Sequence, residues 1–224
     1  MPLATRHLPL PTTNNMIRRL VSLAVFLPIT AFAQAAPPTA LAGGPADPTA
    51  WRIDKTHSEL TFQIRHFMSR VRGTFRDWKG SVALPDPTRW ESAAITVEIQ
   101  TASVFTDNDR RDADLRSSNF FAADSFPTIT FKSTKIERNG DAAKIYGDLT
   151  IRGVTRSVVL DGHFLGLQNN ANGAQRLGFE ASTTVNRLDY GVKWNRAVEG
   201  GGMMLGDEVK IDIAVEATHQ PPRS

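Results

Sequence analysis

The chain has 224 residues, 41% hydrophobic and 22% charged, which is the composition of an ordinary globular protein with room for one large or two small domains. Three of its 26 basic residues, Arg6, Arg18 and Arg19, lie in the first 35 positions without an acid beside them; what remains is 23 basic against 23 acidic residues, a balance that removes the main support for nucleic-acid binding. With no cysteine, the chain can hold no disulfide, no thiolate metal site and no cysteine nucleophile.

In chain order, the first signal is Met16-Ile-Arg-Arg-Leu followed by LVSLAVFLPITAF and the small residues AFAQAA. A basic start, a short apolar run and a small-residue site predict a secretory signal over residues 1–35, cleaved near Ala33 or Ala35. The apolar run is too short to span a bilayer comfortably, since a span needs roughly 20 residues. The expectation is therefore an exported protein, periplasmic or secreted, and translation starts at Met1 or at Met16. Residues 36–50, APPTALAGGPADPTA, predict a Pro/Ala/Gly-rich linker, with the folded domain at 51–218.

From Trp51 onward, apolar and polar residues alternate in segments separated by turn signals, the pattern of half-buried strands. In the stretch DKTHSELTFQIRH, Leu60, Phe62, Ile64 and His66 share one face, so a regular strand puts His57 on the other and a single metal cannot take both histidines. The hairpin partner carries Val71, Gly73 and Phe75; parity then shifts to Trp78, Val82 and Leu84, which predicts a bulge near Asp77–Gly80. Further strands follow with Ile95, Val97 and Ile99; Ile129 and Phe131; and Ile145, Gly147, Leu149 and Ile151. Then come Val158, Leu160, Gly162 and Phe164; Leu177, Phe179, Ala181 and Val185; and Val209, Ile211, Ile213 and Val215. Residues 108–121 do not alternate and predict one short helix capped by Asp109, after which Phe120 and Phe121 re-enter the core.

The expectation is an all-β fold of about eight antiparallel strands with one short helix between them. Such strands close into a barrel or stack as a sandwich, and their length, near ten residues, leans toward the barrel. Inward rows that mix phenylalanines with Gly73, Gly147, Gly162 and Ala181 fit either jigsaw packing or an elongated cavity.

Several segments together resemble the YceI-like, polyisoprenoid-binding family. They are Asp54-Lys-Thr-His57-Ser58 with Phe62 and His66, Gly73-Thr-Phe75, Arg111-Asp-Ala-Asp-Leu115 running to Phe120 and Phe121, and Phe126-Pro-Thr-Ile-Thr-Phe131-Lys-Ser133. Gly147-Asp-Leu149-Thr-Ile-Arg-Gly153-Val-Thr155, Asn186-Arg-Leu-Asp-Tyr-Gly191 and Gly206-Asp-Glu-Val209 complete the set, in the family's order over roughly 51–217. The resemblance implies an eight-stranded antiparallel lipocalin-like barrel whose interior takes an isoprenoid or fatty amphiphile, such as a polyprenyl quinone, with no required cofactor and no reaction catalysed. One departure is Asp114, where many relatives have His before the leucine; that position bears on head-group preference.

The residues expected to contact such a ligand are Leu60, Phe62, Ile64, His66, Phe75, Trp78, Phe131, Leu149, Phe164, Phe179, Arg187 and Trp194. His66 offers an imidazole to a quinone carbonyl or a head-group oxygen. Trp78, Tyr190 and Trp194 suit a barrel mouth or a core equally. Arg187 and Asp189 are expected to pair and close one barrel end, and Arg111 and Asp112 to anchor the helix. His57 and Ser58 read as a strand-edge pair and not as a hydrolase. The outward run Arg65, Arg70, Arg72, Arg76 and Lys79 is either a solvated face or the basis of peripheral contact with an anionic membrane. Gly200-Gly-Gly202 reads as a loop that brings Met203 and Met204 to the mouth. Two rival readings stand beside the carrier: a redox protein that uses a bound quinone or haem, with His66 as axial ligand and His163 pointing outward, and a solidly packed structural barrel. Oligomeric state is left open by the sequence.

Overall fold

The structure, a computed structural model, describes residues 49–219; the expected signal segment and nearly all of the expected linker lie outside them. The alternating segments form strands β1 (Ala50–Ile53), β2 (Glu59–His66), β3 (Ser69–Phe75), β4 (Trp78–Ala83), β5 (Ala94–Gln100) and β6 (Val104–Phe105). After helix α1 (Asp109–Arg116) come β7 (Thr128–Asn139), β8 (Ala142–Ile151), β9 (Val154–Asn169), β10 (Gln175–Asn186) and β11 (Leu205–His219).

All pairings between these strands are antiparallel, and the sheet closes because β1 pairs with both β4 and β11. Trp51 lies opposite Val82, and Ile53 opposite Ala217. Three of the barrel's staves are each made of two strands. β1 and β2 both pair with β11 and are separated by the single turn Lys55–His57; β3 and β4 are separated by a bend at Arg76–Asp77; β5 and β6 by the turn Thr101–Ser103. Counted this way the eleven strands make a closed eight-stranded barrel, as the alternation and the resemblance led one to expect.

Two local expectations are corrected. The parity change after Phe75 is a bend at Arg76–Asp77, one step before the expected bulge, because Phe75 and Trp78 both face inward across an odd spacing and the chain must break register between them. Bulges occur instead between Ser133 and Lys135 in β7 and at Leu165 in β9, where Phe164 and Gly166 pair with consecutive residues of β10. The helix is capped by Asn108, not Asp109: Asn108 has extended backbone and its side chain accepts from the Arg111 N–H, while Asp109 in the first turn meets the positive end of the helix dipole. The first described strand begins at Ala50 and the last ends at His219.

The interior holds two buried clusters. One is built on Trp51, Leu84, Trp90, Leu160, Leu177 and Ala217 at the end where β9 turns into β10. The other is built on Ile129, Leu149, Val185 and Tyr190 toward the opposite end, where α1 and the β10–β11 loop sit.

Candidate functional site: an apolar barrel cavity

Between and around these clusters lies a cavity of about 1010 Å³ lined by the inward rows of the strands. Its walls are almost wholly aliphatic and aromatic, with Leu60, Phe62 and Ile64 from β2, Phe131 from β7, Leu149 from β8, Phe164 from β9, Phe179 from β10, and Ile211 and Ile213 from β11. The mixture of phenylalanine and glycine is both a jigsaw and a cavity wall. The Phe179 ring lies over Gly162, where a β-carbon would stand 2.6 Å from its Cζ, and Phe62 covers Gly73 at 2.4 Å. The rings thus flatten against the wall and leave the axis free.

The two ends differ. At one, Leu84, Trp90 and Ala217 line the cavity while being almost inaccessible to solvent, and Trp90 is stacked on Phe164 at 5.5 Å and edge-on to Phe179 at 5.9 Å. This end is plugged. At the other, the lining includes the exposed Asn108, Arg110 and Asn119 and the half-buried His66, Asp114 and Trp194, so the cavity opens there.

The open end is held by two polar knots. Arg187 is 5% exposed and donates to the carbonyls of Gly206 (2.9 Å), Val192 (2.6 Å) and Trp194 (2.9 Å), with Asp207 at 3.2 Å. Burial pulls its pKa down and Asp207 offsets part of that; a guanidinium stays charged regardless. The expected partner Asp189 is exposed instead, because Arg187–Tyr190 is a 3-10 turn and residues two apart in such a turn do not share a face. In the second knot Asp112 is buried and accepts from the N–H and hydroxyl of Thr106, while Arg111 donates to the Thr106 hydroxyl and carbonyl, both at 2.7 Å. Arg111 and Asp112 therefore anchor α1 to the end of β6, as expected.

Near the open end Tyr190, 2% exposed, lines the cavity, and its hydroxyl is buried without a hydrogen-bond partner among the described residues. Burial, and to a lesser degree the charge of Asp189, push its pKa up, so the phenol remains a donor. Phe120 packs against Trp194 at 5.2 Å and Phe121 against Phe75 at 5.8 Å, which brings the segment after α1 over the mouth.

All twelve residues singled out from the sequence line this one cavity. His66 is at its open end, whereas His57 is in the exposed turn between β1 and β2, so the two histidines are separated by more than strand parity. His57 Nδ1 is 2.8 Å from Asp54 and 3.5 Å from Glu216, and the Ser58 hydroxyl bonds the backbone of Glu216; together they clip the β1–β2 kink to β11. His163 faces solvent on β9. Trp90 was not legible as a lining residue: it lies in the short turn Pro87–Ser92, where no periodicity marks a face, and only its being a tryptophan between two charged neighbours hinted at burial.

A closed antiparallel barrel with a plugged floor, an apolar cavity and a polar collar defines a lipocalin-like protein. The profile of the YceI-like domain matches residues 51–217, and the chain belongs to that family. It is 38% identical over 170 residues to a UPF0312 protein of Staphylococcus aureus, covering 75% of this chain and 96% of the relative. Among solved structures it resembles BcnA of Burkholderia cenocepacia, with a TM-score of 0.62 at 21% identity over 73% of this chain and 98% of that one. The YCEI protein of Campylobacter jejuni matches with a TM-score of 0.59 at 28% identity over 68% and 86%. A polyisoprenoid binding domain from Saccharophagus degradans, described as implicated in plant cell wall breakdown, matches with a TM-score of 0.56 at 14% identity over 77% and 99%.

Proposed function

We propose that this is an exported carrier that holds an isoprenoid chain or similar amphiphilic lipid, such as a polyprenyl quinone, inside the barrel without transforming it. The observation that carries the reading is the cavity itself: about 1010 Å³, almost wholly apolar along its length, with its charged and titratable lining residues at its open end. A cavity of that size is at the upper limit of common small-ligand sites, roughly 300–1,000 Å³. Each Å² of apolar ligand surface removed from water is worth about 25 cal/mol, so a few hundred Å² supplies several kcal/mol before the cost of ordering the ligand. The neighbour from Saccharophagus degradans, a polyisoprenoid binding domain, is in keeping with this use of the fold.

In the proposed pose the chain runs toward Trp90 and an oxygen-bearing head remains near Tyr190, His66 and Asp114. The Tyr190 hydroxyl, buried without a partner among the described residues, is the natural donor to that oxygen. An open interior of this volume weighs against a solidly packed barrel. The test is native mass spectrometry of protein purified from the cell that makes it, followed by organic extraction. A stoichiometric isoprenoid or quinone is expected, and empty protein that also refuses added polyprenyl lipids would sink the reading. An absorption spectrum with a Soret band would instead favour the haem-using alternative.

Blocking variants give a second check. Gly162 is no free space, since Phe179 already lies on it, so filling must be done from positions facing the axis. Val97→Trp and Ile211→Trp are expected to abolish lipid uptake while costing about 1–3 kcal/mol of stability in urea titrations. Folded variants that bind as well as the parent would place the lipid elsewhere.

A further inference from the structure

The rim of the open end exposes apolar residues where fold and solubility give no reason for them. The β2–β3 hairpin turns through only two residues, Phe67 and Met68, with His66 opposite Ser69. Phe67 has φ 51°, the left-handed region that a turn of this kind normally assigns to glycine or asparagine. Instead of small polar residues this tip presents two bulky apolar side chains, Phe67 46% and Met68 89% exposed.

The tip is joined to the β10–β11 loop. The Phe67 N–H donates to the Met204 carbonyl at 2.7 Å, and the Met204 N–H to the Arg196 carbonyl at 2.8 Å. That loop is turned by Gly200, Gly201 and Gly202, all with φ between 90° and 97°, and it presents Met203 at 55% exposure while Met204 lines the cavity. Leu188 adds a further partly exposed apolar side chain at the same end. Of the large hydrophobic residues exposed among the described residues, the only others are Val159 and Leu165, both on the outer wall of β9; none belongs to the loops of the plugged end.

Basic residues flank the apolar tip. Arg65 and Arg70 are directly opposed across β2 and β3, a like-charge pair that an anion between them would relieve. With Arg72 and Arg196 they are exposed, and among the described residues none of the four is in an ion pair. Acids share this end: Glu199 and Glu208, the exposed Asp189, Asp207 paired with Arg187, and Asp107, Asp109 and Asp114 at α1; the four arginines are grouped on the tip hairpin and the neighbouring loop.

We propose that the open end of the barrel docks on an anionic lipid bilayer, with Phe67, Met68 and Met203 entering the interface and Arg65, Arg70 and Arg196 meeting lipid phosphates. Apolar insertion beside basic side chains is the pairing by which peripheral proteins hold anionic surfaces. Docking in this pose sets the cavity mouth against the membrane, so a lipid passes between bilayer and barrel without crossing water. The proposal rests on the carrier reading and adds to it the surface where cargo is exchanged.

Vesicle co-sedimentation of the full chain tests it, with vesicles of phosphatidylglycerol and phosphatidylethanolamine against vesicles of phosphatidylcholine. Every variant carries the same N-terminal segment, so differences between variants report on the tip alone. Phe67→Gly with Met68→Asn suits the turn and is expected to weaken partitioning at least about tenfold. Arg70→Glu with Arg196→Glu is expected to lose the preference for anionic vesicles and its sensitivity to salt. Leu165→Ser, which removes an apolar side chain from the outer wall, is expected to change nothing. Tip variants that bind like the parent, or a Leu165→Ser loss as large as theirs, would overturn the docking pose. Uptake of polyprenyl lipid added from solvent, without vesicles, separates the two readings. Tip variants are expected to keep it, and if the parent itself fails there while still docking, the carrier reading falls and the membrane surface stands.

Discussion

The two ends of the barrel follow opposite rules. At the plugged end Trp51, Leu84, Trp90 and Ala217 are buried together, with Trp90 stacked on Phe164 and edge-on to Phe179, and leave the cavity no exit. At the open end buried polar groups do the holding: Arg187 ties two carbonyls of the β10–β11 loop to that of Gly206 in β11, and Asp112 ties α1 to Thr106, while apolar side chains are turned out to solvent. A small barrel keeps a cavity without collapsing by holding its two ends differently. Dispersion and hydrophobic burial close one end, where nothing must pass. At the other end directional hydrogen bonds, beside the Phe120–Trp194 and Phe121–Phe75 contacts, keep the rim in shape and the passage open.

Substitutions at each end sharpen the contrast. Trp90→Ala removes the plug and its ring contacts, and is expected to cost about 3–5 kcal/mol in denaturant titration. It is also expected to admit longer chains into the cavity, measured by competition among polyprenyl lipids of increasing length; no change in length preference would break the assignment of Trp90 as the floor. Arg187→Gln leaves carbonyls of Val192, Trp194 and Gly206 without a donor, at an expected cost of about 2–4 kcal/mol. Hydrogen exchange is expected to rise in residues 187–206 and to remain unchanged around Trp90, so a uniform rise would show that the two ends are not separately held.

Smaller effects probe the mouth itself. Tyr190→Phe removes a buried hydroxyl that has no partner among the described residues, so stability is expected to hold or rise by about 1 kcal/mol. Affinity for a lipid with an oxygen-bearing head is expected to fall about tenfold, with hydrocarbon binding unaffected; equal losses for both would remove Tyr190 from head-group recognition.

The smallest effect belongs to the clip between Asp54, His57 and Glu216. The hydrogen bond to Asp54 raises His57 above the ordinary imidazole value, so its contribution is complete below about pH 6.5 and is lost as pH rises through the higher folded value. The bond to His57 lowers Asp54, whose contribution is complete above about pH 4 and is lost as pH falls through the lower folded value. The clip is strongest between those limits. The melting temperatures of the parent and His57→Gln are expected to differ more at about pH 5.5 than at about pH 9, and a gap that widens with pH would contradict the assignment.

Alternation alone determined much of this protein. Strand parity placed Leu60, Phe62, Ile64 and His66 on one wall and the residues of seven further strands on others, because a side chain's face in a sheet depends only on its position along the strand. Parity was insufficient wherever the backbone leaves the pleat. Asp189 shares parity with Arg187 but sits in a 3-10 turn, and the true partner, Asp207, is 20 residues on in another strand. Trp90 and Tyr190 belong to turns as well, and their place against the cavity depends on strands distant in sequence. The balance between filled and empty interior was likewise decided in three dimensions. Whether a phenylalanine fills a barrel or lines it depends on whether a glycine lies beneath its ring, as Gly162 lies beneath Phe179, and that depends on register between strands rather than on residue type.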